Sequence, residues 1–97
     1  MVKIHIEFVG FPTIYDLFTA GFHPYAFQGS SLFELVEDLI AHYGDVMRES
    51  LLDQRAKTLD QTIQVRLNQN YLSREEVDKQ ELEEGDDITF LKLLAGG

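Results

Sequence analysis

The sequence predicts an α+β domain in which one amphipathic helix lies against a face of a β-sheet. Apolar residues alternate with polar ones at Val2, Ile4, Ile6 and Phe8, and again at Ile63, Val65 and Leu67. That period of two marks strands with one buried face. Between them, Leu32, Leu35, Val36, Leu39, Ile40 and Tyr43 recur at helical spacing, an apolar stripe that must find a partner surface. Strands gathered around one helix satisfy both requirements by layering the helix on the sheet.

The elements follow in order. Lys3, His5 and Glu7 supply the polar face of the first strand, and Gly10 and Pro12 end it. Residues 13 to 22 are unusually apolar for a connection and leave room for a short helical turn. Pro24-Tyr25-Ala26-Phe27-Gln28 reads as a second strand pairing with the first, with proline suited to a strand start. Ser31 and Glu34 then form a capping box: the hydroxyl takes an orphan backbone N–H and the carboxylate reaches back to the cap. Glu34, Glu37 and Asp38 fall off the apolar stripe, and Gly44 supplies the stop.

In residues 45 to 60, Met47, Leu51 and Leu52 fit either a short helix or an irregular strand, and Gln54-Arg55-Ala56-Lys57-Thr58 reads as a solvated loop. Ile63, Val65 and Leu67 make the next strand. Asn68-Gln69-Asn70 turns the chain into a short Tyr71-Leu72 strand. Glu84-Gly85-Asp86-Asp87 is a further turn, and Ile88, Phe90 and Leu91 begin a last strand that runs toward Ala95-Gly96-Gly97. This order, strand, strand, helix, strand, short strand, strand, is that of a β-grasp, with the first and last strands side by side in the middle of a mixed sheet. Residues 1–97 read as a single domain with a flexible tail over about 93–97.

Composition narrows the chemistry. Cysteine is absent, which excludes disulfides, thiolate metal sites and thiol nucleophiles. The net charge of -9 argues against nucleic acid and anionic membranes, whose phosphates it repels. It suits solubility, or steering toward a basic protein partner. Residues 75–87 carry eight acids against Lys79 alone, either a solvated face or a docking patch. The start of the chain lacks the basic region and apolar run of a secretory signal. No stretch reaches the length of a membrane span, so the expected location is the cytoplasm. His5, His23 and His42 show no metal spacing. Neither a Ser/His/Asp order, nor a phosphate loop, nor a catalytic carboxylate pair stands out, so the chain is not expected to be an enzyme by itself.

The stretch Val65-Arg66-Leu67-Asn68-Gln69-Asn70-Tyr71-Leu72, the following Ser73-Arg74-Glu75-Glu76, Leu82, the turn Glu84-Gly85-Asp86-Asp87-Ile88 and the terminal Ala95-Gly96-Gly97 together resemble the MoaD/ThiS family. These are ubiquitin-like sulfur carriers: the small subunit of molybdopterin synthase and the carrier of the thiamine pathway. Asn70 stands where the family often has glycine, Ser73 where thiamine-type carriers often have proline, and Lys92-Leu93-Leu94 where many molybdopterin carriers have Pro-Pro. The length of residues 45 to 60 is similar to the molybdopterin-type members.

The resemblance implies that the Gly97 carboxylate is adenylated and then converted to a thiocarboxylate. An E1-like adenylating enzyme would perform this and consume the ATP; the carrier itself would bind no cofactor. A sulfur-accepting synthase subunit would be the second partner, most simply in molybdopterin (molybdenum or tungsten cofactor) biosynthesis. Alternatives are a thiamine-type carrier, a protein modifier conjugated through Gly97, and a non-catalytic interaction domain. Gly96 and Gly97 present no side chains to a narrow site and accept backbone angles other residues refuse. Five extended residues reach roughly 15 Å, enough to enter a docked enzyme. Phe90, Leu93, Leu94 and Ala95 read as partner-binding residues beside that end.

Overall fold

The computed structural model describes residues 1–53, 55 and 58–93. Five strands form one sheet in the order β2-β1-β5-β3-β4. Strand β1 (Val2–Val9) and strand β5 (Asp87–Lys92) are the central pair and run parallel, as the β-grasp expectation requires. Strand β2 (His23–Phe27) pairs antiparallel with β1, and β3 (Ile63–Leu67) antiparallel with β5. The two-residue β4 (Asn70–Tyr71) closes the far edge against β3. Three helices, α1 (Leu32–Tyr43), α2 (Asp45–Leu51) and α3 (Arg74–Lys79), complete the described elements.

Register decides what is buried. Ile6 lies opposite Ile88, Phe8 opposite Phe90, and Val65 opposite Phe90 on the other side. All five therefore share one face. The Phe8 and Phe90 rings stack with centroids 5.2 Å apart. Leu32, Leu35, Val36 and Leu39 of α1 pack onto this face and are buried. Ile40 and Tyr43 are only partly buried, so they mark the margin of the stripe rather than its centre.

The capping box at the start of α1 is formed as its sequence predicts. Ser31 Oγ accepts from the Glu34 N–H at 3.1 Å, and Glu34 Oε1 accepts from the Ser31 N–H at 3.2 Å. Removing the hydroxyl orphans a donor of the first turn. Ser31→Ala should therefore cost about 1 kcal/mol, read as a lower urea midpoint with an unchanged slope.

The apolar connection after β1 closes one end of the core. Ile14 N–H donates to Phe11 O, and Phe18 N–H donates to Ile14 O, giving helical turns without a full helix. Phe11, Ile14 and Phe18 are buried, and the Phe18 ring meets Phe8 at 5.4 Å. The ambiguous segment after Gly44 resolves as a helix. Met47 and Leu51, four residues apart, are both fully buried in α2. Gly44 has φ +72°, ends α1 and opens α2. Leu52 bridges to Leu59. Of the expected loop between them, Gln54, Ala56 and Lys57 lie outside the described residues.

Helix α3 was not expected. A second capping box starts it: Ser73 Oγ accepts from the Glu76 N–H at 3.2 Å and Glu76 Oε1 from the Ser73 N–H at 2.9 Å. None of its residues is buried, which is why no apolar periodicity announces it.

Candidate functional site at the end of the central strand

The last strand carries the chain out through the middle of the sheet, and its exit is closely held. Lys92 pairs with Ile63, and the Leu93 N–H donates to Thr62 O at 2.8 Å. At the end of β1, Gly10 has φ +85°, and a Cβ there would lie 3.0 Å from Lys92 O and 3.2 Å from Lys92 Cβ. Only glycine combines that backbone angle with so close an approach. The Gly10 N–H donates to Tyr15 Oη at 3.0 Å, tying the same point to the apolar connection.

Asp60 supports the exit from the other side. Its Oδ1 accepts from the Thr62 N–H at 2.7 Å and from the Thr62 hydroxyl at 2.6 Å. Its Oδ2 lies 3.8 Å from Lys92 Nζ. Arg74, at the start of α3, donates to the carbonyls of Leu59 and Asp60. The Thr62 hydroxyl, then the Thr62 amide, hold the Asp60 carboxyl below the usual carboxylate range.

The sign of the linkage follows from that depression. The folded state binds the Asp60 proton less readily than the unfolded chain, so the contribution is full above the unfolded value of about 3.9. It is lost as pH falls through the lowered folded value. Asp60→Asn should therefore lower the melting temperature at neutral pH. The gap to the parent protein should close on acidification below about pH 4, as followed by circular dichroism melts across pH. Glu34 and Glu76, also lowered by their capping bonds, keep some acid sensitivity in both proteins.

The sheet face turned away from α1 carries two kinds of surface. Across its middle, Thr89 Oγ1 donates to Glu7 Oε1 at 2.9 Å, and Arg66 Nη2 lies 3.9 Å from the same carboxylate. These long side chains cover Thr89. His5 Nδ1 lies 3.1 Å from Asp87 Oδ1. Nearer the exit the surface becomes apolar. Val9 and Leu91 are paired across β1 and β5, on the face opposite Phe8 and Phe90. Val9 and Leu93 are exposed, the latter at 48%.

Each expected site residue can be placed against this geometry. Leu93 sits at the exit and is open to a partner. Phe90 is not: its exposure is 0%, because alternation along β5 turns it into the core against Phe8 and Val65. Its assignment as a direct partner contact is corrected to a core role. Val9 and Leu91 take the place beside Leu93, and neither was expected. Their signal was present, since Phe8-Val9 and Phe90-Leu91 are adjacent apolar pairs. Only one member of such a pair in a strand can face the core. Leu94, Ala95, Gly96 and Gly97 lie outside the described residues.

The acidic run resolves into individual tasks. Glu84 Oε1 accepts from the Lys3 N–H at 2.9 Å, Asp86 Oδ2 from the Glu83 N–H at 2.8 Å, and Glu76 caps α3. Asp86 Oδ1 also accepts from Asn68 Nδ2 at 3.3 Å. Several of the acids thus build turns and caps. Among the described residues no three His, Asp or Glu side chains converge as a metal site. No described helix is long and apolar enough to cross a membrane.

A parallel central pair in a mixed five-stranded sheet, with one main helix across it, defines a β-grasp protein of the ubiquitin-like class. The ThiS family model matches residues 18–97. The chain belongs to the ThiS family, among the ubiquitin-like sulfur carriers and modifiers.

Solved structures share the fold. SAMP1 from Haloferax volcanii superposes with a TM-score of 0.70 at 11% identity, over 98% of this chain and 99% of that one. CysO of Mycobacterium tuberculosis, described as an antigen, gives 0.67 at 22% identity, over 94% and 99%. A chain of the Amycolatopsis orientalis BexX/CysO complex gives 0.62 at 22% identity, over 97% and 99%. No curated protein matches the chain by sequence.

Proposed function

We propose that this protein is a sulfur carrier whose Gly97 carboxylate becomes a thiocarboxylate and donates sulfur in cofactor biosynthesis. The observation that supports it best is the exit of β5. A ThiS-family match runs to Gly97, and the strand leading there leaves the sheet beside the exposed apolar residues Val9 and Leu93. In this reading an E1-like adenylating enzyme binds that apolar surface and takes the tail into its own site. The Gly97 carboxylate attacks the α-phosphorus of ATP and releases pyrophosphate. A sulfide then attacks the acyl carbon, the C–O bond to AMP breaks, and AMP leaves, so that the sulfur stays on Gly97 as the thiocarboxylate. The chain supplies the electrophile and its placement; the partner supplies nucleotide and donor. Positioning of this kind is a large share of such a rate.

For the acceptor, a synthase subunit of the molybdopterin type is the reading we favour. The residues between α1 and β3 include the additional helix α2, in keeping with the longer members. A second reading has its own support. Two of the solved structures sharing this fold, from Haloferax volcanii and Methanosarcina acetivorans, are named small archaeal modifier protein 1. There, a lysine amine in place of sulfur would attack the same acyl-adenylate and form an isopeptide at Gly97.

One incubation separates the two. The protein is mixed with its adenylating enzyme, ATP and sulfide, and the intact mass is followed. Replacement of one oxygen by sulfur, mapped to the C-terminal peptide, is the expected result. Formation of lysine conjugates without any thiocarboxylate would favour the modifier. No ATP-dependent change at Gly97 would overturn both readings.

A further inference from the structure

On the helical side of the molecule, away from Val9, Leu91 and Leu93, α1 and α2 enclose a groove. Phe33, Glu37, Ile40, Ala41 and Gly44 line it from the α1 side, a spacing that follows one face of a helix. Leu35 and Leu39, on the face turned to the sheet, do not line it. Arg48, Glu49 and Leu52 line it from the α2 side. Phe33 is 49% exposed, although the stability of α1 asks nothing of an aromatic ring at that position. Val36 and Ile40 extend the apolar floor beneath it.

The rim is acidic on both walls. Glu37 stands on α1, and Asp45 and Glu49 on α2. Among the described residues of the lining the one cation, Arg48, is engaged by Asp45 at 2.6 Å. Glu37 and Glu49 have no ion-pair partner among the described residues. An apolar floor between two negatively charged walls is complementary to an apolar stripe flanked by Lys or Arg.

We propose that this groove docks a basic amphipathic helix of a partner protein. The groove is walled by two helices and offers no unpaired strand edge, so a helix reading it through anchors at i, i+3/i+4 and i+7 fits better than an added strand. A second copy of this chain would bring the same acidic rim against itself, and like charges across an interface are costly. Nucleic acid and anionic lipid are repelled by the same carboxylates. The groove lies on the helix layer and the strand exit on the opposite sheet face. Occupying the groove therefore leaves Leu93 open, and the proposal stands independently of the chemistry at Gly97.

The test titrates the 15N-labelled full chain with two synthetic helical peptides. Both carry leucines on one face; one is rimmed by lysines, the other by glutamates. The lysine peptide is expected to shift the amides of Phe33, Ile40, Arg48 and Leu52, and to bind more weakly as salt rises. The glutamate peptide is expected to shift none of them. Phe33→Ser and the double variant Glu37→Lys, Glu49→Lys should each weaken binding by about tenfold or more. Neither should lower the melting temperature, because all three side chains are at the surface. Equal binding of the two peptides would overturn the proposal. So would shifts confined to Val9, Leu91 and Leu93, or charge reversal without effect. A concentration-dependent dimer abolished by Phe33→Ser would assign the groove to a second copy and overturn it too.

Discussion

Deleting Gly97 should abolish sulfur loading and leave the melting transition where it is. The chemistry proposed for the chain occurs at one carbonyl, and removing that residue moves the carboxylate back by a full residue length of about 3.3–3.6 Å. A displacement of even about 1 Å in a positioned reactant can cost about a hundredfold, so the acyl carbon would no longer meet the α-phosphate. Stability should not follow, because every described core residue lies at or before Phe90. Gly96→Val should impair loading as well, through the added bulk and the restricted backbone. A residue appended after Gly97 should block loading until it is cleaved. Intact-mass measurement with the adenylating enzyme, ATP and sulfide checks all three variants, and calorimetry checks that each remains folded. Loading that survives the loss of Gly97 would place the reactive group elsewhere in the chain.

The elements that carry a buried apolar period were legible from sequence. The alternation at Ile4, Ile6 and Phe8, the stripe at Leu35 and Leu39, and the strand at Ile63 and Val65 all signal a face that must be covered. The central, side-by-side placement of β1 and β5 followed from the β-grasp order of elements, and the structure makes that pair parallel. What escaped was structure held by polar or local bonds. Helix α3 has no fully buried residue and packs on the core only through the partly buried Val77, yet Ser73 and Glu76 repeat the same capping pattern that Ser31 and Glu34 use. Helix α2 is seven residues long, too short for Met47 and Leu51 to distinguish a helical period from an irregular strand.

The site was legible in part for a related reason. Sequence adjacency suggested Phe90 as a neighbour of the tail, but strand alternation sends neighbours to opposite faces. Distance along the chain and side of the sheet are different quantities. Leu93 satisfies both, whereas Phe90 satisfies only the first. The parts that hold the exit, Gly10, Asp60 and Thr62, come from segments far from the tail in sequence. They converge only through the parallel β1–β5 pair and the turn before β3, so no local motif could have grouped them.

That distinction between Phe90 and Leu93 has a measurable consequence. Phe90→Ala should destabilise the fold by about 3–5 kcal/mol, through lost burial and the cavity left behind. The ring stacks on Phe8 and lies opposite Val65, in the middle of the central strand, where surrounding side chains have little freedom to collapse. A loss of that size is a large fraction of the roughly 5–15 kcal/mol of an ordinary domain. Each kcal/mol lowers the melting temperature by about 4–8 °C in a domain of this length. Leu93→Ser should do the opposite: leave the urea midpoint within about 0.5 kcal/mol of the parent and slow loading by the adenylating enzyme. Phe90→Leu, which keeps most of the apolar volume, should recover much of the stability and load at the parent rate below its melting temperature. If Phe90→Leu instead remained folded and lost partner binding, Phe90 would be a contact residue after all. If Leu93→Ser unfolded the protein, the exit would belong to the core rather than to the docking surface.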